Sequence, residues 1–195
     1  MHPYSIETYE RRNILLILAV ISIALAWSFH QLMGIFEIGL PWWAESPSVL
    51  FFYGFLYTIF DKWCWKLLRK VGLIKTPDLN GEWDGTLKTS FDSHASELKT
   101  TLKIFQTWTK IKTILTADHS VSYSEAASII LEAPEGKYLS YQYVNEPKSS
   151  AVQTMSIHRG TTRLLFDEKA DKLSGEYYSG RDRQNFGSLS FTRKT

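Results

Sequence analysis

The chain has 195 residues, a formal net charge of +2 and a single cysteine, Cys64. That balance argues against bulk electrostatic binding of a DNA or RNA polymer, and one thiol rules out an internal disulfide framework. The length suits one or two domains, and the strongly apolar sequence is concentrated before about Lys70.

Ile14 to Phe29 is apolar apart from Ser22 and Ser28, and the run resumes at Leu32, Met33, Ile35 and Phe36. A helix over about 13–33 reaches the roughly 20 residues needed to cross a hydrocarbon core of about 30 Å. Arg11 and Arg12 before the run, with Ala24-Leu25-Ala26 inside it, also fit a cleavable signal. Another apolar segment follows, which favours a retained span. That segment starts near Ser46 or Pro47 and becomes long enough to cross when extended through Trp63, Cys64, Trp65, Leu67 and Leu68, giving a second span over about 48–68. Trp42 and Trp43 before it, and Trp63 and Trp65 late in it, suit the two membrane interfaces.

Basic residues set the orientation. Arg11 and Arg12 flank the first span, and Lys62, Lys66, Arg69, Lys70 and Lys75 lie in or after the end of the second. The connector contains Glu37 and Glu45 and no Lys or Arg. The positive-inside rule then predicts a multi-pass protein with both termini cytoplasmic. The expected division is a two-helix membrane hairpin over 1–75 and a cytoplasmic domain over 76–195.

Thr76-Pro77-Asp78 ends the helical pattern and leaves a linker of a few residues. The sequence beyond it alternates with period two. Candidate strands are Gly81–Phe91, Glu97–Gln106, Trp108–Ala117, Ala127–Ala133, Lys137–Asn145, Thr161–Asp167, Leu173–Gly180 and Phe186–Arg193. Eight short strands without helical runs predict an all-β domain, best closed as a small eight-stranded antiparallel β-barrel. Two strands begin alike, at Leu79-Asn80-Gly81-Glu82-Trp83-Asp84-Gly85 and at Leu173-Ser174-Gly175-Glu176-Tyr177-Tyr178-Ser179-Gly180. Alternation turns Trp83 and Leu87 inward on the first, and Leu173, Tyr177, Ser179 and Arg181 inward on the second.

No catalytic constellation or nucleotide-binding glycine loop is present, so the chain reads as a non-enzyme. His94, His119 and His158 have no ligand partners at metal spacing, so no metal is expected. Arg159, Arg163, Arg181 and Arg183 fall within 25 residues, accompanied by Tyr177, Tyr178 and Gln184, with Tyr138, Tyr141 and Tyr143 upstream. Guanidinium forks suit phosphates and aromatic rings suit bases. The plainer reading of these residues is solvated loop charge and core-covering tyrosine.

Paired apolar spans are followed by the Leu79–Gly85 motif and then by His158-Arg159-Gly160-Thr161-Thr162-Arg163-Leu164. Leu173–Tyr178, Gly180-Arg181 and Gly187-Ser188-Leu189-Ser190-Phe191 complete the order. Over its whole length the chain resembles the bacterial two-transmembrane plus β-barrel effectors of CBASS antiphage defence, the SMODS-associated CD-NTase-associated protein 15 family. The resemblance implies that the barrel binds a cyclic dinucleotide made by a CD-NTase. The chains would then self-associate, and their helices would disrupt the bacterial inner membrane and cause abortive infection. The ligand set expected on physical grounds places Arg163 and Arg181 on phosphates, Trp83, Tyr141 and Tyr177 against the bases, and Ser179 on a polar edge. Alternation with Leu164 and Phe166 turns Arg163 outward if those two face the core. A membrane-tethered, lipocalin-like barrel holding a lipid or another apolar small molecule is the alternative.

Overall fold

The computed structural model describes residues 1–36, 45–180 and 184–194, with side chains from residue 48 on in the second helix. Glu37, Trp42, Trp43, Arg181 and Arg183, all used in the sequence reading, lie outside the described residues, as does the side chain of Glu45. The chain divides into two compact units, Thr8–Lys75 and a second made of Met1–Glu7 with Thr76–Thr195.

The first unit is helical. Helix α1 covers Glu10–Ile35, and its 26 residues make it the one described helix long and apolar enough to cross a membrane. Helix α2 (Glu45–Ile59) passes into a π-helical turn at Phe60–Cys64 and then into helix α3 (Trp65–Lys70). The two stretches pack as a hairpin, with the Phe29 and Phe52 rings edge to face at 6.1 Å. Leu18, Ser22 and Ala26, each four residues on from the last, form one buried stripe on α1. The Ser22 hydroxyl is spent on the Leu18 carbonyl at 2.6 Å, so it costs the apolar environment little.

The second unit is a closed barrel of nine strands in the order β1-β4-β3-β2-β9-β8-β7-β6-β5. They are β1 (His2–Ile6), β2 (Gly81–Thr89), β3 (Leu98–Gln106), β4 (Lys110–Thr116), β5 (Ser120–Ala133), β6 (Gly136–Pro147), β7 (His158–Asp167), β8 (Lys172–Ser179) and β9 (Phe186–Arg193). All eight strands expected from the sequence are present. The ninth, β1, comes from residues assigned above to the membrane hairpin. Strand β5 pairs with β4 over only three residues before a bulge between Ser124 and Ala126 turns it away. Strand β1 fills the resulting split, antiparallel to β4 and parallel to β5. The barrel is therefore nine-stranded and contains one parallel pairing. Tyr4, 3% exposed, carries β1 into the core.

Strand β5 also begins seven residues earlier than expected, at Ser120. Its inward residues there are Ser122 and Ser124, both buried. Polar residues on the inner face erase the alternation that would otherwise mark a strand. The apolar core lies lower in the barrel, where Trp83, Leu102, Ile129, Leu139, Leu164, Leu173 and Phe191 pack together.

Candidate ligand-binding cavity

A cavity of about 580 Å³ opens at the end of the barrel where β2, β4, β6 and β8 finish. That size lies within the usual range for small-molecule sites, about 300–1,000 Å³. Strand β1 ends and β2 begins at the other end. Leu87, Leu115 and Leu189 contribute apolar wall at the boundary with the core. Above them stand Tyr143, Tyr177 and Thr162, and then a polar level formed by Ser122, Asn145 and His158. The rim carries Asp92, Asp118 and His119, together with Ala151, Thr154 and Met155 from the segment joining β6 to β7.

Two glycines make room for the tyrosines. A methyl group on Gly160 would collide with the Tyr143 ring and the Tyr178 carbonyl. One on Gly187 would collide with the Tyr177 ring and the Lys88 carbonyl. The rings thus lie across the facing strand in space that only glycine leaves.

The six residues expected from sequence separate clearly. Tyr177 and Ser179 line the cavity. Tyr141 faces the interior one step below Tyr143, their rings 6.4 Å apart, but does not line the cavity. The Tyr141 hydroxyl is buried without a well-formed hydrogen bond, with the Thr162 and Thr113 side chains facing it. Burial pushes its phenol well above the usual tyrosine range. Trp83 belongs to the core at the opposite end, where its Nε1 donates to the Leu79 carbonyl at 3.1 Å and the Arg193 guanidinium lies 4.2 Å over its ring. Arg163 is exposed on the outer wall, with its guanidinium 4.2 Å over the Tyr138 ring. Leu164 and Phe166 are buried, so alternation turns Arg163 out. Arg181 is outside the described residues.

Sequence reading missed Ser122, Tyr143, Asn145, Met155 and His158 as a set. Only Tyr143 carried a signal, since it shares a face with Tyr141 two residues earlier. The others come together through the register of β5, β6 and β7. The described lining residues include Asp92, Asp118, His119 and His158 but no Lys or Arg. Asp92 is held below the usual carboxylate range, chiefly by its hydrogen bond with the Ser96 side chain, with backbone N–H groups adding to the effect.

Comparison with known families matches both units. Residues 74–193, most of the barrel and the whole cavity wall, match the Cap15 cyclic dinucleotide receptor domain. Residues 12–66 match the Cap15 transmembrane helices. The chain belongs to the Cap15 family. Two curated relatives, both called CD-NTase-associated protein 15, are similar to it. One, from Yersinia aleksiciae, is 32% identical over 140 residues, covering 71% of this chain and 65% of the relative. The other, from Staphylococcus schleiferi, is 35% identical over 121 residues, covering 62% of this chain and 63% of the relative. The matches thus span just under two thirds of each relative's length. The family's receptor domain supports a cyclic dinucleotide as the ligand class, and its transmembrane helices support membrane association.

Proposed function

We propose that this chain is a cyclic-dinucleotide-activated effector of bacterial CBASS antiphage immunity, acting on the inner membrane without covalent chemistry. The observation that carries the reading is a 580 Å³ cavity inside the segment that matches the receptor domain, on a chain that also holds a membrane-length helix. Tyr177 and Ser179 meet the ligand on the cavity wall. Arg181, two residues beyond Ser179 in the chain, supplies a cation for phosphate; Tyr141 acts behind the wall as support, while Trp83 holds the core at the far end of the barrel.

The second crossing, over about 48–68, lies within the helical run from Glu45 to Lys70. Its backbone stays helical through the π turn, with Ile59 at φ −65°, ψ −43° and Trp65 at φ −57°, ψ −33°. Twenty-six residues would span about 39 Å as an ideal α-helix, enough for a bilayer core. Two crossings and the basic residues flanking them put both termini and the barrel in the cytoplasm. Ligand-driven self-association of barrels then gathers the helices, and many weak membrane contacts act together.

The test is dye release from phosphatidylethanolamine–phosphatidylglycerol vesicles carrying the full-length protein, with a panel of cyclic dinucleotides added. The expected result is release with at least one of them, accompanied by larger assemblies on crosslinking. Binding without release would remove the membrane role, and no binding by any of them would remove the receptor role. The apolar wall formed by Leu87, Leu115 and Leu189 favours one competing occupant, an uncharged lipid. Native mass spectrometry of the detergent-purified chain decides that case: a co-purified lipid supports it, and an empty barrel counts against it.

A further inference from the structure

The register of three strands sets three polar side chains at one level of the cavity wall. Ser122 of β5 is the partner of Asn145 on β6, and Asn145 is the partner of His158 on β7. All three are buried, and Asn145 is only 5% exposed. Lower in the barrel the paired inward positions of the same strands hold Ile129, Leu139 and Leu164. A buried amide costs stability unless its hydrogen-bonding groups are matched. Asn145 is matched only in part.

The Ser122 hydroxyl donates to Asn145 Oδ1 at 2.9 Å. Asn145 Nδ2 donates to the Met155 thioether sulfur at 3.3 Å. Turning the amide over would set its oxygen against the sulfur, two acceptors face to face, so both contacts agree on one orientation. The amide oxygen is thereby committed to β5, while the amino group is offered toward Met155 on the cavity rim. A thioether is a weak acceptor on a side chain with three rotatable bonds. A carbonyl oxygen is a stronger acceptor and would take its place. His158 adds no competing donor from Nδ1, which lies 3.0 Å from the Ser156 carbonyl and is engaged there.

We propose that Asn145, oriented by Ser122, is the specificity-determining residue of the cavity and donates to a carbonyl oxygen of the ligand's base. The inference rests on the receptor reading above and adds the base chemistry to it. Guanine presents O6 and uracil presents O4 and O2, whereas adenine carries no carbonyl and places an amino group where guanine has O6. The barrel should therefore favour cyclic dinucleotides with oxo-bearing bases over the all-adenine one.

The experiment is titration calorimetry of the full chain in detergent with cyclic di-GMP, cyclic di-UMP and cyclic di-AMP, on wild type and variants. Wild type should bind at least one of the first two about tenfold or more tightly than cyclic di-AMP, as expected when a buried donor is left unmatched. Asn145→Asp exchanges the donor for an acceptor and should erase or reverse that preference. Ser122→Ala releases the amide from its fixed orientation and should narrow it, and unfolding midpoints show that each variant is folded. Should the aspartate variant fail to fold, Asn145→Ser together with Ser122→Ala carries the same comparison. A wild type that prefers cyclic di-AMP, or Asn145 variants that keep the wild-type preference, overturns the proposal while leaving the receptor reading intact. If wild type binds none of the three and no other cyclic dinucleotide, the receptor reading falls and this one with it.

Discussion

At the scale of single residues, side-chain volume decides which positions shape the cavity and which hold the barrel closed. Gly160 and Gly187 exist in this sequence as space for Tyr143 and Tyr177. Gly160→Ala should cost about 1–3 kcal/mol, because backbone on the facing strand blocks the methyl group from moving aside. Urea unfolding measures that cost, and an unchanged midpoint would show that the strand can shift. Trp83 is fully buried against Phe166, at 6.1 Å edge to face, and under Arg193. Truncation by Trp83→Ala should lose about 3–5 kcal/mol, read in the same assay. Tyr141 has a pH signature. Its phenol is raised in the folded barrel, so its contribution to stability is complete below the ordinary tyrosine range and is lost as pH climbs above it. Tyrosinate absorbance from Tyr141, isolated by comparison with Tyr141→Phe, should appear together with alkaline unfolding rather than before it.

At the scale of elements, one short strand and one glutamine organise the end of the barrel away from the cavity. Gln106 is 5% exposed and its side chain serves two segments. Its Oε1 accepts from Leu79 N at 2.8 Å, and its Nε2 donates to the Pro77 carbonyl at 3.0 Å and to the Tyr4 hydroxyl at 3.4 Å. Tyr4 in turn donates to the Trp108 carbonyl at 2.8 Å. Arg193 closes over the same segment, donating to the Asp78 carbonyl at 2.9 Å and to the Asn80 carbonyl. Gln106→Leu keeps the volume but orphans buried backbone groups, so about 2–4 kcal/mol should be lost. Deleting residues 2–7 should remove at least about 2 kcal/mol through Tyr4 alone and leave β4 and β5 with unpaired edges. Denaturation together with size-exclusion chromatography in detergent tests this; a deleted chain as stable and as well dispersed as the intact one would show that β1 is dispensable. A soluble barrel made from residue 76 onward would carry the same defect.

At the scale of the whole molecule, the membrane-length helix and the cavity belong to separate compact units joined by the chain itself. Strand β1 precedes α1 and strand β2 follows α3, so the hairpin is an insertion between two barrel strands. A ligand that binds only the folded barrel stabilises it by mass action, about 2.7 kcal/mol at a concentration of 100 times Kd. Titration of the full chain with its preferred cyclic dinucleotide should therefore raise the barrel's denaturation midpoint. A midpoint that stays constant with rising ligand would count against binding in the native barrel.

The sequence by itself determined what depends on local pattern. Within a bilayer a long apolar run satisfies its backbone as a helix, and period-two alternation from Leu79 onward buries one face as a sheet. Trp83, Leu173, Tyr177 and Ser179 point inward as that alternation requires. Tertiary structure alone decided what depends on register and space. His2–Ile6 is too short, and too mixed in character with Pro3 inside it, to read as a strand until a bulge in β5 leaves a gap of its shape. Ser122, Asn145 and His158 are separated by 23 and 13 positions in the chain, and only hydrogen-bonded pairing brings them to one level. Inward serines defeat the apolar signal for the same reason that they make a cavity: the interior there faces a polar space instead of a packed core.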